Sequence, residues 1–275
     1  MTSTSSDHPY VLGHSEHEIG RLQRQSIFFD PITRRFFQEA GVASGMRVLD
    51  VGSGGGDVSL LVADLVGDRG EVVGVDRSPS AVEAATARIR TLGRSNVSFH
   101  VGDPAGMTFD RPFDAVVGRY VLQFQKDPAP MLRNLAAHAR PGGIVAFHEP
   151  DWRGVDSFPA ASLFQRCRSW GIETLRRHGT EFRMGMKLYS TFVAAGLPSA
   201  EVRMVPIVGY GPSAVTIAQL LGDLILTLAP EIERLGVASA SEIGVETLIE
   251  RLAQEASNQS SVFSVWTQVG VWARV

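Results

Sequence analysis

The chain has 275 residues, 44% of them hydrophobic and 20% charged, which is enough for one α/β domain with an appended helical portion and gives no compositional case for general disorder. Its 26 Lys and Arg stand against 29 Asp and Glu, a formal charge of −3, so the overall electrostatic attraction that nucleic-acid binders use is missing. The single cysteine, Cys167, excludes an intramolecular disulfide framework and any multi-thiolate metal site, and the opening Met1 to Asp7 has no basic start and no apolar signal region, so a cytoplasmic protein is expected.

Taken in chain order, Met1 to His8 reads as a loose tail. From Glu16 to Ala40, Ile19, Leu22, Ile27, Phe28, Ile32, Phe36 and Phe37 recur at near-helical spacing around Pro31, which predicts two helices. Val48 to Val51 reads as a first strand, a glycine-rich turn follows, and Val58 to Val62 begins a helix. Glu71–Asp76 and Asn96–Asp103 read as further strands, and Phe113–Leu122 as a fourth strand with the loop after it. A helix is expected near Pro130 to Ala139, ended by Pro141, with Gly142 and Gly143 turning into a fifth strand that reaches Phe147. Beyond Asp151 the pattern predicts helices over Leu163–His178 and Met186–Ala195, a strand at Glu201–Pro206, a helical excursion from Ser213 to Gln259, and a closing strand over Val262–Ala273 paired with the strand near Val202. This alternation predicts an α/β fold: a Rossmann-like, doubly wound, mostly parallel sheet, plus N-terminal and inserted helices forming a lid. The expected divisions are a tail with lid helices at 1–40, a strand-and-helix core at 41–150, and the rest of the sheet with helical lid insertions at 151–275.

The run Val48-Leu49-Asp50-Val51-Gly52-Ser53-Gly54-Gly55-Gly56-Asp57 carries most of the functional information. Its glycines permit positive φ and close backbone approach at the start of a helix, and Asp76 ends the next strand where a short carboxylate can accept both hydroxyls of a ribose. A dinucleotide is disfavoured. That fingerprint needs glycine where this chain has Asp57, and an extra carboxylate at Asp50 is unwelcome beside a pyrophosphate but suits a cationic ligand. Asp57 itself can equally cap the helix start.

An acid followed by G-x-G-x-G, with Asp76 and Asp103 closing the next strands, resembles the class I S-adenosylmethionine-dependent methyltransferases, and among them the ubiquinone-biosynthesis-like small-molecule group. Tyr10 to His14, Arg21 to Gln25 and Glu149 to Trp152 are similar to segments of that group. The resemblance implies S-adenosyl-L-methionine as cofactor, bound by the core at 41–150, S-adenosyl-L-homocysteine as product, and a seven-stranded sheet whose last strand is antiparallel. It implies a cofactor site of Tyr10, Gln25, Asp50, Gly52, Ser53, Gly54, Asp76, Arg77, Gly102, Asp103, Pro104, Arg119 and Tyr120, with Asp103 on the adenine amino group, Pro104 to Met107 beside the ring and Arg119 at the methionine carboxylate.

Methyl transfer is an in-line displacement that chiefly needs alignment and exclusion of water, so no universal catalytic residue is required. Where a base helps, His148, Glu149 and Asp151 at the end of the fifth strand are the candidates, with His148 favoured because its ordinary pKa near 6.5 suits proton transfer. A structural hydrogen-bonding role for His148 is the plain alternative. No metal is expected: His8, His14 and His17 lack supporting ligands, and the loop Gln123-Phe124-Gln125-Lys126-Asp127 departs from the acidic and amide set that holds a cation in catechol-type enzymes. The N-P-P-Y-type motif of nucleobase enzymes is missing at Gly118 to Val121. Arg166, Arg168, Arg176, Arg177 and Arg183 read as a solvated helix face more readily than as an anion surface. The apolar stretch Ala214 to Ala229 is too short and too interrupted for a membrane span, with Pro230 closing it, so a buried lid helix or a homodimer contact fits better. The expected partner is a small, partly hydrophobic organic molecule, a secondary metabolite or quinone-like compound, with no nucleic acid and no membrane. The competing readings are an S-adenosylmethionine-bound enzyme of non-methylating chemistry, such as cyclisation, decarboxylation or rearrangement, and a noncatalytic binding protein on the same fold.

Overall fold

The computed structural model describes residues 16–257 and 260–275, with side chains from Phe28 onward. The elements are α1 (Glu16–Ala40), β1 (Arg47–Val51), α2 (Asp57–Val66), β2 (Glu71–Asp76), α3 (Pro79–Thr91), β3 (Val97–Val101), β4 (Phe113–Arg119), α4 (Pro128–Ala136), β5 (Ala139–Asp151), β6 (Asp156–Phe158), α5 (Ser162–Arg177), α6 (Met184–Ala195), β7 (Glu201–Tyr210), α7 (Pro212–Arg234), α8 (Ala240–Ile243), α9 (Leu248–Ala256) and β8 (Val262–Arg274). They fall into two compact units. The larger holds Gln23–Gly154, Glu181–Ile207 and Trp266–Val275; the smaller holds Val155–Thr180 and Val208–Val265 with the start of α1.

In the larger unit β3, β2, β1, β4 and β5 run parallel, and β8 adds antiparallel to β5 with Ile144 opposite Arg274 and Asp151 opposite Thr267. Side chains alternate across β1 because a strand repeats every second residue. Leu49 and Val51 enter one apolar cluster with Leu132 of α4 and Leu188 and Phe192 of α6, while Val48 joins another with Phe36 and Phe37 of α1 and Leu61 and Val62 of α2. Both faces of the sheet are covered, so all five residues of β1 are buried. Under such a sheet the ends of the strands are the one place where backbone turns and polar side chains can gather.

Among the described residues the sheet has eight strands rather than the expected seven, the addition being the three-residue β6, paired with Val262–Ser264 at the start of β8; β7 pairs with β8 as expected. Proline placement departs in three respects. α1 continues through Pro31 instead of breaking into two helices. A proline there costs about 3 kcal/mol, whereas Phe29, Phe36 and Phe37, on both sides of it, are 1–2% exposed and each contributes about 1.5–3 kcal/mol. α4 ends at Ala136, well before Pro141, which lies in the irregular first part of β5 where the register with β4 shifts.

α7 likewise runs through Pro230, because Leu228, Ala229 and Ile232 around it are buried. The helix is therefore 23 residues long and, by length and composition, apolar enough to cross a membrane, so the length argument against a span does not hold. Within the smaller unit α7 packs against α5 and α9.

Candidate active site

The turn after β1 is built by backbone hydrogen bonds to its neighbour. Gly52 N and Ser53 N both donate to Val75 O, at 2.8 and 3.1 Å, and Gly54 N donates to Asp76 Oδ2 at 2.9 Å. Gly52 and Gly54 have φ of +65° and +50°, which any side chain would strain. Beyond its chain neighbours, no atom of the described residues lies within 4 Å of where a Cβ on Gly54 or Gly55 would stand, so these residues leave the crest of the turn open. Asp76 also accepts Ser78 N through Oδ1, at 2.8 Å, and thus shapes the turn before any ligand arrives. Asp57 neither caps α2 nor reaches outward: Arg88 pairs with it at 2.5 Å and donates to Gly55 O at 3.2 Å, bracing the glycine turn from α3.

Asp50 is 1% exposed, receives Ser59 Oγ on Oδ2 at 2.5 Å, and has no partner on Oδ1 among the described residues. Burial pushes its pKa up to about 7, against the lowering pull of the Ser59 hydrogen bond. A cationic group beside it would restore the ionised form. Ser53 Oγ is buried and unpartnered as well. Asp103 sits near the end of β3 with its side chain 48% exposed, held by Ala105 N at 3.1 Å and by Arg77 at 2.7 Å. Gly102 faces the Met107 sulfur, which a Cβ would approach to 2.6 Å, whereas Pro104 is buried and its carbonyl accepts His138 Nε2 at 2.7 Å. Tyr10 lies outside the described residues; Gln25 lies on α1, and its side chain lies outside them too.

Arg119 is turned inward. It pairs with Asp30 at 2.7 Å and donates to Thr33 Oγ1 at 3.0 Å, so the side chain expected at a methionine carboxylate ties β4 to α1. Thr33 Oγ1 lies 3.0 Å from His148 Nδ1, and His148 Nε2 lies 2.7 Å from Gln268 Oε1, which also accepts the Tyr120 hydroxyl. Gln268 Nε2 donates to Trp266 O at 2.8 Å, which fixes the amide orientation and therefore the proton of neutral His148 on Nε2. Thr33 then shares its single proton between Phe29 O, at 2.9 Å, and His148 Nδ1. Burial, with Arg119 nearby, pulls the imidazole pKa down to about 3, and His148 is 0% exposed. This environment gives a fixed neutral hydrogen-bonder, not the base titrating near 6.5 that the sequence suggests.

Glu149, on the opposite face of β5, is 0% exposed and accepts Val121 N at 2.8 Å and Leu122 N at 2.7 Å on one oxygen. Its other oxygen has no hydrogen-bond partner among the described residues, and burial raises its pKa to about 8 against the lowering pull of the Leu122, Val121 and Gln123 amides. Asp151 is 3% exposed, accepts Arg153 N at 2.9 Å, and also keeps one buried oxygen free. Thr33, Gln268, Asp30, Arg88 and Val121 were not singled out by the sequence. Only Gln268 left a signal, as an amide among the mostly apolar residues of β8.

These residues fit an S-adenosyl nucleoside. An open glycine crest can take a close backbone approach, the Asp76 carboxyl at the end of β2 can accept hydroxyls, and the Asp50 carboxyl can pair with a cation. Residues 43–195 match the family model described as a methyltransferase domain. The aklanonic acid methyltransferase DauC of a Streptomyces species is 35% identical over 48% of this chain and 60% of its own length. The ubiquinone/menaquinone biosynthesis C-methyltransferase UbiE of Shewanella oneidensis is 32% identical over 42% of this chain and 49% of its own. The chain thus spans roughly half of the curated relatives it matches. In fold, the YcgJ protein of Bacillus subtilis superposes with a TM-score of 0.54 at 18% identity, covering 86% of this chain and 95% of that one. With more than half of its length inside the family match and the glycine turn, Asp50 and Asp76 in place, the chain belongs to the class I S-adenosylmethionine-dependent methyltransferases.

Proposed function

We propose that the chain methylates a small, partly hydrophobic organic acceptor, a secondary metabolite or quinone-like compound. The observation that carries this reading is the buried Asp50 with its free Oδ1 beside a glycine turn whose Gly54 N–H is held by Asp76. Asp50 would hold the ammonium, the turn from Gly52 to Gly54 would lie under the methionine part, Asp76 would accept the ribose hydroxyls and Asp103 the adenine amino group. Bound there, S-adenosylmethionine supplies a methyl carbon made electrophilic by its sulfonium. The chain's part is to align and to exclude water, which can supply about 7–11 kcal/mol without proton transfer. Names among the relatives support the acceptor class: aklanonic acid, a phytyl naphthoquinone and nocamycin are the compounds named for them. A net charge of −3 and one cysteine support a small-molecule partner and a reducing, cytoplasmic setting.

The test is stoichiometric. Incubation with S-adenosylmethionine and a panel of hydroxyquinone and polyketide acceptors should release one S-adenosylhomocysteine per methylated product. Acceptor conversion without S-adenosylhomocysteine would replace this reading with a non-methylating one.

A further inference from the structure

We propose that Glu149 is a positioning residue for the methyl-donor cradle: its carboxyl holds the loop after β4 so that Val121 packs onto Gly52, and it exchanges no proton with the acceptor. The proposal rests on the methyltransferase reading above. Three features of the loop carry it. First, Tyr120 has φ +60°, the one non-glycine residue with positive φ among the described residues, a conformation that costs about 1–3 kcal/mol and persists only when its surroundings impose it. Second, both sides of that residue are clamped. Arg119 is fixed by Asp30, Tyr120 N donates to His148 O at 2.9 Å, and the next two amides, Val121 N and Leu122 N, end on Glu149 Oε1. Third, the clamped loop reaches the glycine turn: a Cβ on Gly52 would come within 2.8 Å of Val121 Cγ2, so Val121 fills the space that a side chain at 52 would take.

The chain of contacts therefore runs from Glu149 through two backbone amides to Val121 and on to the turn that receives the donor. Glu149 is buried, and the oxygen that the described residues engage is turned to the two loop amides. Burial holds its carboxyl largely protonated at neutral pH, and a neutral acid accepts both amides through its carbonyl oxygen as an amide side chain would. The conservative variant thus separates the roles: glutamine keeps the acceptor of the two N–H groups and abolishes proton exchange.

Calorimetric titration with S-adenosylhomocysteine, amide hydrogen exchange at Val121 and Leu122, and turnover at saturating donor form the test. Glu149→Ala should weaken binding by about tenfold or more and speed exchange at both amides, while Glu149→Gln should stay within about threefold of the parent in all three. If Glu149→Ala does not fold, Val121→Ala should weaken S-adenosylhomocysteine binding with both amides still slow to exchange. A Glu149→Gln variant that binds normally but turns over about a hundredfold more slowly would overturn the proposal in favour of proton transfer. Unchanged exchange in Glu149→Ala, or unchanged affinity in Val121→Ala, would overturn it as well. A parent that binds neither S-adenosylmethionine nor S-adenosylhomocysteine would instead overturn the functional reading, whatever the exchange shows.

Discussion

Val121 lies against Gly52 at the point where the first strand turns into the glycine crest, leaving a Cβ on Gly52 only 2.8 Å from Val121 Cγ2. Gly52→Ala therefore meets two penalties, the contact and a φ of +65°. Together they should destabilise the fold by about 1–3 kcal/mol. Because the strain falls on the cradle, S-adenosylhomocysteine affinity should drop by about tenfold or more, in a calorimetric titration at a temperature where the variant is folded. Affinity equal to the parent's would show that the turn does not contact the donor.

Asp50 offers a second, independent measurement. With its pKa raised to about 7 by burial, the carboxyl is largely protonated slightly below neutrality, and an ammonium placed beside it would return it to the ionised form. Binding of S-adenosylhomocysteine at about pH 6.5 should then release a fraction of a proton, read from calorimetry in buffers of different ionisation enthalpy, and affinity should rise with pH through neutrality. Asp50→Asn should abolish the release. Proton uptake, or release that survives in Asp50→Asn, would remove the ammonium from this carboxylate.

The part of this site made by neighbours in sequence was legible there. Asp50, Asp76 and Asp103 each lie at or beside a strand end before a turn, and period-two apolar strands with glycine turns report themselves locally. What stayed hidden was set by long-range partners. Arg119 is spent on Asp30, a residue 89 positions earlier, and His148 is enclosed by Thr33 and Gln268, 115 and 120 positions away. No spacing rule contains those pairings. The helix breaks expected at Pro31 and Pro230 failed for a related reason, since burial of apolar residues on both sides of each proline exceeds the local cost, and burial is decided by the tertiary fold.

His148 carries a prediction opposite to the one its residue type suggests. A base of ordinary histidine pKa would make turnover fall below about pH 6.5. Neutral down to about 3 and hydrogen-bonded at both ring nitrogens, His148 should leave no such inflection in the pH–rate profile. His148→Ala should act on stability instead, by about 2–4 kcal/mol, through the cavity and the partners left unsatisfied on Thr33 and Gln268. The folded pKa lies below the unfolded one, so the histidine's contribution is complete above about pH 6.5 and fades as pH falls toward 3. A histidine-dependent inflection that disappears in the variant would restore His148 as a base.

Glu149 has the reverse linkage. Its folded pKa of about 8 lies above the reference value of 4.5, so its contribution to stability is complete below about pH 4.5 and is lost as pH rises through 8. Asp50 has the same sign, with a folded pKa of about 7, and remains in a Glu149→Gln variant, so the comparison isolates one carboxyl. Thermal unfolding followed between about pH 5.5 and about pH 8.5 should show Tm falling further in the parent than in Glu149→Gln, because the amide cannot ionise in its buried site. At the acid end the two proteins should unfold at similar temperatures, since protonated acid and amide both accept the amides of Val121 and Leu122. Parallel pH curves for the two proteins would mean that Glu149 is ionised throughout, which would require a cationic or hydrogen-bonding partner on its second oxygen.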